Sequence, residues 1–140
     1  MTSPLESLSG PGKPLTREPP DAREIDGLRH SGLVRLRDAG HAELSLEGRF
    51  DLAYNAAHAF CLAALRRQGY RSSNRYIVFQ VLPHTLQLGP EVWRVLAKCH
   101  DVRNRVEYGG INDLNERLLD DLIAATEKVL KALDELPPLK

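Results

Sequence analysis

The chain has 140 residues, 42% of them hydrophobic and 27% charged, a composition that suits one folded domain and excludes a chain disordered throughout. Nineteen Lys and Arg balance nineteen Asp and Glu, so net charge draws the whole molecule to neither nucleic acid nor membrane, and any such binding must come from a local patch. No run approaches the ~18 apolar residues of a membrane span, and the polar start lacks the apolar core of a secretory signal. The expectation is a cytoplasmic protein without membrane association.

Pro4, Pro11, Pro14, Pro19 and Pro20 crowd the first twenty residues beside Gly10 and Gly12, which predicts a flexible tail over 1–20 and a folded domain over 21–140. Beyond the tail the apolar residues repeat with helical period, so the expected fold is all-α, an antiparallel bundle of four to five helices. A first helix opens at the capping residue Asp21, carries Ala22, Ile25, Leu28, Gly32, Leu36 and Ala39 on one face and stops at Gly40. Gly27 and Gly32 weaken it. A second follows Ser45 and repeats Leu46, Phe50, Ala53, Ala57, Phe60 and Ala64, with further alanines widening the stripe, and ends near Gly69. It is the candidate central helix. The run from Tyr76 to Leu82 has the β-branched and aromatic character of a strand, but without a second strand to pair with it reads as a short helix capped by Ser73 or Asn74 and ended before Pro83. The next helix places Pro90 at its first position and runs to Gly109 and Gly110. The last is capped by Asn112 or Asp113, repeats Leu118, Leu122, Ala125, Val129 and Leu133, and meets Pro137 and Pro138.

Cys61 and Cys99 stand alone in apolar stretches, without paired spacing, and read as buried reduced thiols rather than a disulfide or zinc ligands. No two histidines share a helix face at i and i+4, and glycine-rich phosphate loops and nucleophile elbows are absent from the sequence. No metal site and no cofactor are expected. Local charge says more. From Leu52 to Pro90 there are four arginines, Arg66, Arg67, Arg71 and Arg75, and no acid, a pattern that suits either an ordinary solvated face or a phosphate-contacting patch, because guanidinium forks hold phosphate oxygens bidentately. The densest polar cluster is His100 to Tyr108. Within it Arg103 falls on the apolar stripe, where it either pairs with an acid or amide or lines an anion-binding cleft.

The order of helices, the alanine-rich stretch from Leu52 to Leu65 and the run Arg103, Asn104, Arg105, Val106, Glu107, Tyr108 together resemble a HEPN domain over about residues 22–135. Members of that family are small all-helical proteins of toxin–antitoxin, phage-defence and RNA-processing systems. In active members an arginine, a polar residue and, a few positions on, a histidine face a second copy across a dimer and form a metal-independent endoribonuclease. The resemblance thus implies a catalytic set of Arg103, Asn104 and Tyr108, with Arg66, Arg67, Arg71, Arg75 and Arg105 contacting RNA. Tyr108 stands where the family has histidine. An unperturbed tyrosine, with a pKa of about 10, is a poor general base, and His58 or His100 would have to supply one, against a structural role for each. The tyrosine that related toxins expose to nucleotide transfer would fall at Gly110. Three readings stay open: an RNA-associated component with residual ribonuclease activity, a non-catalytic scaffold or binding subunit that pairs with an antitoxin, a nucleotidyltransferase or another toxin component, and a plain structural helical bundle. A homodimer is expected from the resemblance and from the wide Ala-Leu stripe of residues 46–65.

Overall fold

The computed structural model describes residues 3–109 and 114–139, without the side chains of 106–109. In chain order the elements are α1 (Pro4–Ser7), β1 (Thr16–Arg17), α2 (Ala22–Ala39), α3 (Leu46–Arg67), β2 (Tyr70–Arg71), α4 (Arg75–Gln80), α5 (Leu82–Thr85), α6 (Pro90–Gly109) and α7 (Glu116–Asp134). The protein is mostly helical, and none of the described helices is long and apolar enough to cross a membrane.

Local chemistry sets most helix starts. Asp21 accepts hydrogen bonds from the Arg23 and Glu24 amides, Ser45 from Gly48 and Asn74 from Ile77, satisfying donors that the first turn of a helix leaves without partners. Pro90 opens α6 in the first turn, where a missing N–H costs no intrahelical hydrogen bond. The start of α7 corrects the sequence expectation. Its cap is Asn115, which accepts from the Leu118 amide. Three candidates of equal capping chemistry lie within four residues, and Asn112 and Asp113 fall outside the described residues. Pro83 does not end helical structure altogether, because it sits in the first turn of α5, where proline is tolerated.

Side-chain contacts give the helix directions. Arg66 meets Glu24, the Phe60 ring lies against Gly32, and Arg49 donates to the Ala39 carbonyl, so α2 and α3 run antiparallel. Asp51 meets Arg103 and Tyr54 meets His100, which makes α6 antiparallel to α3. Glu91 and Val92 face Lys128 and Lys131 across a groove, so α7 returns along α6. The four long helices therefore alternate in direction. Helix α3 is buried nearly all round: Ala53, Tyr54, Ala56, Ala57, Phe60, Cys61, Ala63, Ala64 and Leu65 have no exposed surface. Its broad apolar stripe is thus covered by the chain's own helices, and it offers no open face to a second copy.

Residues 3–20 do not form the flexible tail that their composition predicts. Leu5 and Leu15 are buried in the core, β1 pairs antiparallel with β2 in the register Thr16 to Arg71 and Arg17 to Tyr70, and the Glu18 amide donates to the Gly69 carbonyl. Gly69 has a φ of 88°, the left-handed turn that brings β2 back from the end of α3. The physical reason for the order is Arg66. Its guanidinium is 1% exposed and donates to the Glu18 and Pro19 carbonyls and to the Glu24 carboxylate, and it lies 3.1 Å from the Glu18 carboxylate. Burying a charge is tolerated only when every donor finds an acceptor, and here the N-terminal segment supplies most of them.

Candidate functional site

Away from this latch, three helices bring polar side chains to one face. On α3, Asp51, Tyr54, Asn55 and His58 recur at helical spacing; on α6, His100, Arg103 and Asn104 do the same; and α4, aimed by its Asn74 cap, contributes Arg75 and Tyr76. At the centre is the His100 imidazole. Its Nδ1 lies 2.8 Å from the Tyr54 hydroxyl and its Nε2 lies 3.2 Å from the Asn104 amide nitrogen. If Asn104 donates to Nε2, then Nδ1 carries the proton and donates to Tyr54. Tyr54 itself is fully buried, with its ring edge-on to Phe79 and its face toward two cations.

Those cations are Arg103 and Arg75, whose guanidinium carbons lie 5.0 Å and 5.5 Å from the centroid of the Tyr54 ring, within the range where a ring quadrupole attracts a cation. Each also bonds to α3. The Arg103 Nε donates to the Asp51 carboxylate at 3.2 Å, and an Arg75 nitrogen donates to the Asn55 side-chain oxygen at 2.9 Å. Helix α3 thus offers the two arginines a carboxylate and an amide four residues apart. Asp51 is 57% exposed and the Arg103 side chain 27%, so this ion pair sits at the surface and solvent reaches it.

The electrostatics follow from burial and from the two guanidinium groups. Burial lowers the His100 pKa, with Asp101 opposing and Arg75 and Arg103 adding to the fall, so the imidazole is neutral at pH 7. His58, packed edge-on to Phe79, is lowered to about 4, first by burial and then by Arg75, His100 and Arg103. It is a neutral, partly buried residue. Burial raises the Tyr54 hydroxyl, against the pull of Arg75 and Arg103, which makes it a hydrogen-bonding orienter of His100 rather than a phenolate. Burial also pushes the Cys99 thiol up to about 12 and the Cys61 thiol up as well, leaving both as inert core sulfurs. Among the described residues, no group of three or more His, Cys, Asp or Glu could hold a metal ion.

The structure brings together some of the residues singled out by sequence and separates others. Arg103, Asn104 and Arg75 lie in the cluster, with His100 between them. Arg105 is exposed on the same helix. Tyr108 belongs to α6 by its backbone, but its side chain lies outside the described residues, as does Gly110 altogether. Arg66 and Arg71 are drawn into the latch. Arg71 bonds Glu18 at 2.7 Å and also Glu24, while Arg67 donates to the Pro137 carbonyl. Arg66 lies eleven residues along α3 from Asn55, roughly 16 Å at a helical rise of 1.5 Å per residue, so the four arginines of the acid-free stretch do not form one patch. Buried Arg66 in particular has no edge for a phosphate, and the expected RNA contact there is replaced by a structural role. Asp51, Tyr54 and Asn55 were not anticipated. Their signal was present as polar residues at i, i+3 and i+4 on an otherwise alanine-rich helix.

The arrangement can hold an anion against two guanidinium groups and can orient a neutral imidazole beside it. General-base chemistry requires a ring nitrogen within about 3 Å of the proton to be taken. Both nitrogens of His100 are already engaged, one by a buried hydroxyl and the other by a surface amide. Comparison with known proteins finds no family model, no curated protein and no solved structure that matches the chain.

Proposed function

We propose that the chain is an RNA-associated protein of HEPN type, a component of a toxin–antitoxin or phage-defence module, that binds RNA on the face formed by α3, α4 and α6. The observation that carries this reading is the pair of guanidinium groups, Arg75 and Arg103, set against the Tyr54 ring beside a neutral His100. Arg75, held by the Tyr54 ring and by the Asn55 amide oxygen, keeps its charge for the phosphate oxygens of a nucleic acid backbone. The four long alternating helices, with Arg103 and Asn104 on the third of them, support the HEPN resemblance. The homodimer expected of such a protein rests on that resemblance alone, since the α3 stripe is covered within the protomer.

Binding without cleavage is the form of this reading that the geometry favours. The nitrogens of His100, the imidazole beside the two arginines, are bonded to Tyr54 and Asn104, so neither is open to take the proton of an attacking ribose hydroxyl. Incubation of the purified chain with total RNA in chelator, followed by end-group analysis, tests this. The expected result is retention of RNA by the protein with no new 5′-hydroxyl or cyclic phosphate ends. Accumulation of such ends, lost in His100→Ala, would assign the chain to the ribonucleases instead.

A further inference from the structure

The two arginines of the face differ in what holds them. Arg75 is bonded to an amide oxygen, that of Asn55, and among the described residues it has no carboxylate within ion-pairing distance. Arg103 is bonded to a carboxylate, that of Asp51. An amide leaves the charge of its guanidinium intact, whereas a carboxylate compensates it and occupies the edge that a phosphate oxygen would take. Asp51 is also more than half exposed, so it sits where an incoming backbone would pass.

Resting on the RNA-binding reading above, we infer that Asp51 is the affinity-limiting residue of this face, an internal stand-in for phosphate that RNA must displace from Arg103. In the free protein the face presents the uncompensated charge of Arg75 and a masked charge on Arg103. A bound strand contacts Arg75 directly and competes with Asp51 for Arg103. Coulomb repulsion between the Asp51 carboxylate and the strand adds to the competition. The device keeps general affinity for RNA low. It also makes the face selective for a backbone, or a partner-held strand, that can deliver a phosphate to Arg103 at the cost of this ion pair.

The competition has a signature that a purely structural aspartate does not share. Asp51→Asn removes the competing charge while keeping shape and hydrogen-bonding capacity, so it strengthens binding. Asn55→Asp places the same kind of carboxylate on Arg75 and weakens it. The probe is a fluorescent 12-nucleotide uridine RNA titrated by anisotropy at several salt concentrations. Glu127→Gln, an exposed carboxylate on α7, controls for the change in total charge. We expect Asp51→Asn to tighten binding about three- to ten-fold, with Glu127→Gln changing it by less than about 1.5-fold. Adding Arg103→Ala to Asp51→Asn should abolish the gain, and Asn55→Asp should lower affinity by a factor similar to the one gained. Wild type that binds while Asp51→Asn binds no better, or gains no more than Glu127→Gln, would overturn the inference and leave the RNA-binding reading standing. Wild type and Asp51→Asn both failing to bind at low salt would overturn that reading, and the inference with it. Should Asp51→Asn prove poorly folded by circular dichroism, Asn55→Asp alone decides between competition and its absence.

Discussion

Two glycines of the same helix should respond in opposite directions to the same substitution. A methyl group added at Gly27 meets nothing within 4 Å, whereas one added at Gly32 would stand 2.4 Å from the Phe60 ring and within 2.8 Å of two further ring carbons. Replacing an unhindered helical glycine with alanine stabilises by roughly 0.5–1 kcal/mol, because the unfolded chain loses freedom. Gly27→Ala should therefore gain about that amount. At Gly32 the same gain is opposed by overpacking, which costs typically about 1–3 kcal/mol, and Phe60 has no exposed surface into which its ring could retreat. The net expectation is a loss of about 1–2 kcal/mol. Urea unfolding followed by circular dichroism measures both, and a double-mutant cycle identifies the cause: Gly32→Ala should cost less in a Phe60→Leu background, where the ring is gone. Equal stabilisation by the two alanines would refute the close packing of α2 on α3 at Phe60.

Three other outcomes follow from the same contacts. Arg66→Ala leaves Glu18 and Glu24 without their buried partner and should cost about 3–5 kcal/mol, while Arg75→Ala, at the surface, should cost about 1 kcal/mol or less; thermal unfolding distinguishes them, and equal shifts would return Arg66 to the list of surface contacts. The folded state holds His58 neutral down to about pH 4, whereas the unfolded chain protonates it near 6.5, so the unfolded state binds the extra proton in that interval and stability declines as pH falls from 6.5 to 4, by about 3 kcal/mol in all. His58→Phe should flatten the decline, and an unchanged slope would contradict the assignment. Glu18 and Glu24, both lowered first by hydrogen bonds from Arg71, add stability that is complete above 4.5 and lost as pH drops through their folded values, so acid unfolding below pH 4.5 should be shallower in Glu24→Gln than in wild type.

The elements whose causes are local could be read directly from the chain. Asp21, Ser45, Asn74 and Pro90 each satisfy or dispense with donors within their own first turn, and apolar spacing alone located α3 at the centre. Distant partners decided what could not be read. Residues 3–20 have the composition of a tail, and only the placement of Arg66 beside Glu18 and Glu24, more than forty residues away in sequence, converts them into packed structure. The same pairing removed Arg66 and Arg71 from the expected phosphate patch. Arg103 and Asn104 stood out as a dense polar cluster on one helix. Their counterparts on α3 did not, because Asp51, Tyr54 and Asn55 lie among alanines whose apolar spacing dominates the pattern, and nothing in the sequence reports that α6 returns antiparallel along that edge.

The central claim is that Arg75 and Arg103 together hold RNA on this face, and the most direct measurement is a titration of single-stranded RNA, in chelator and at low salt, against the wild-type chain and against the doubly substituted Arg75→Ala, Arg103→Ala chain. Loss of two phosphate contacts should weaken binding at least about ten-fold and lower the salt slope by about 1.4, with the fold retained in circular dichroism. An unchanged affinity in a folded double variant would contradict the account.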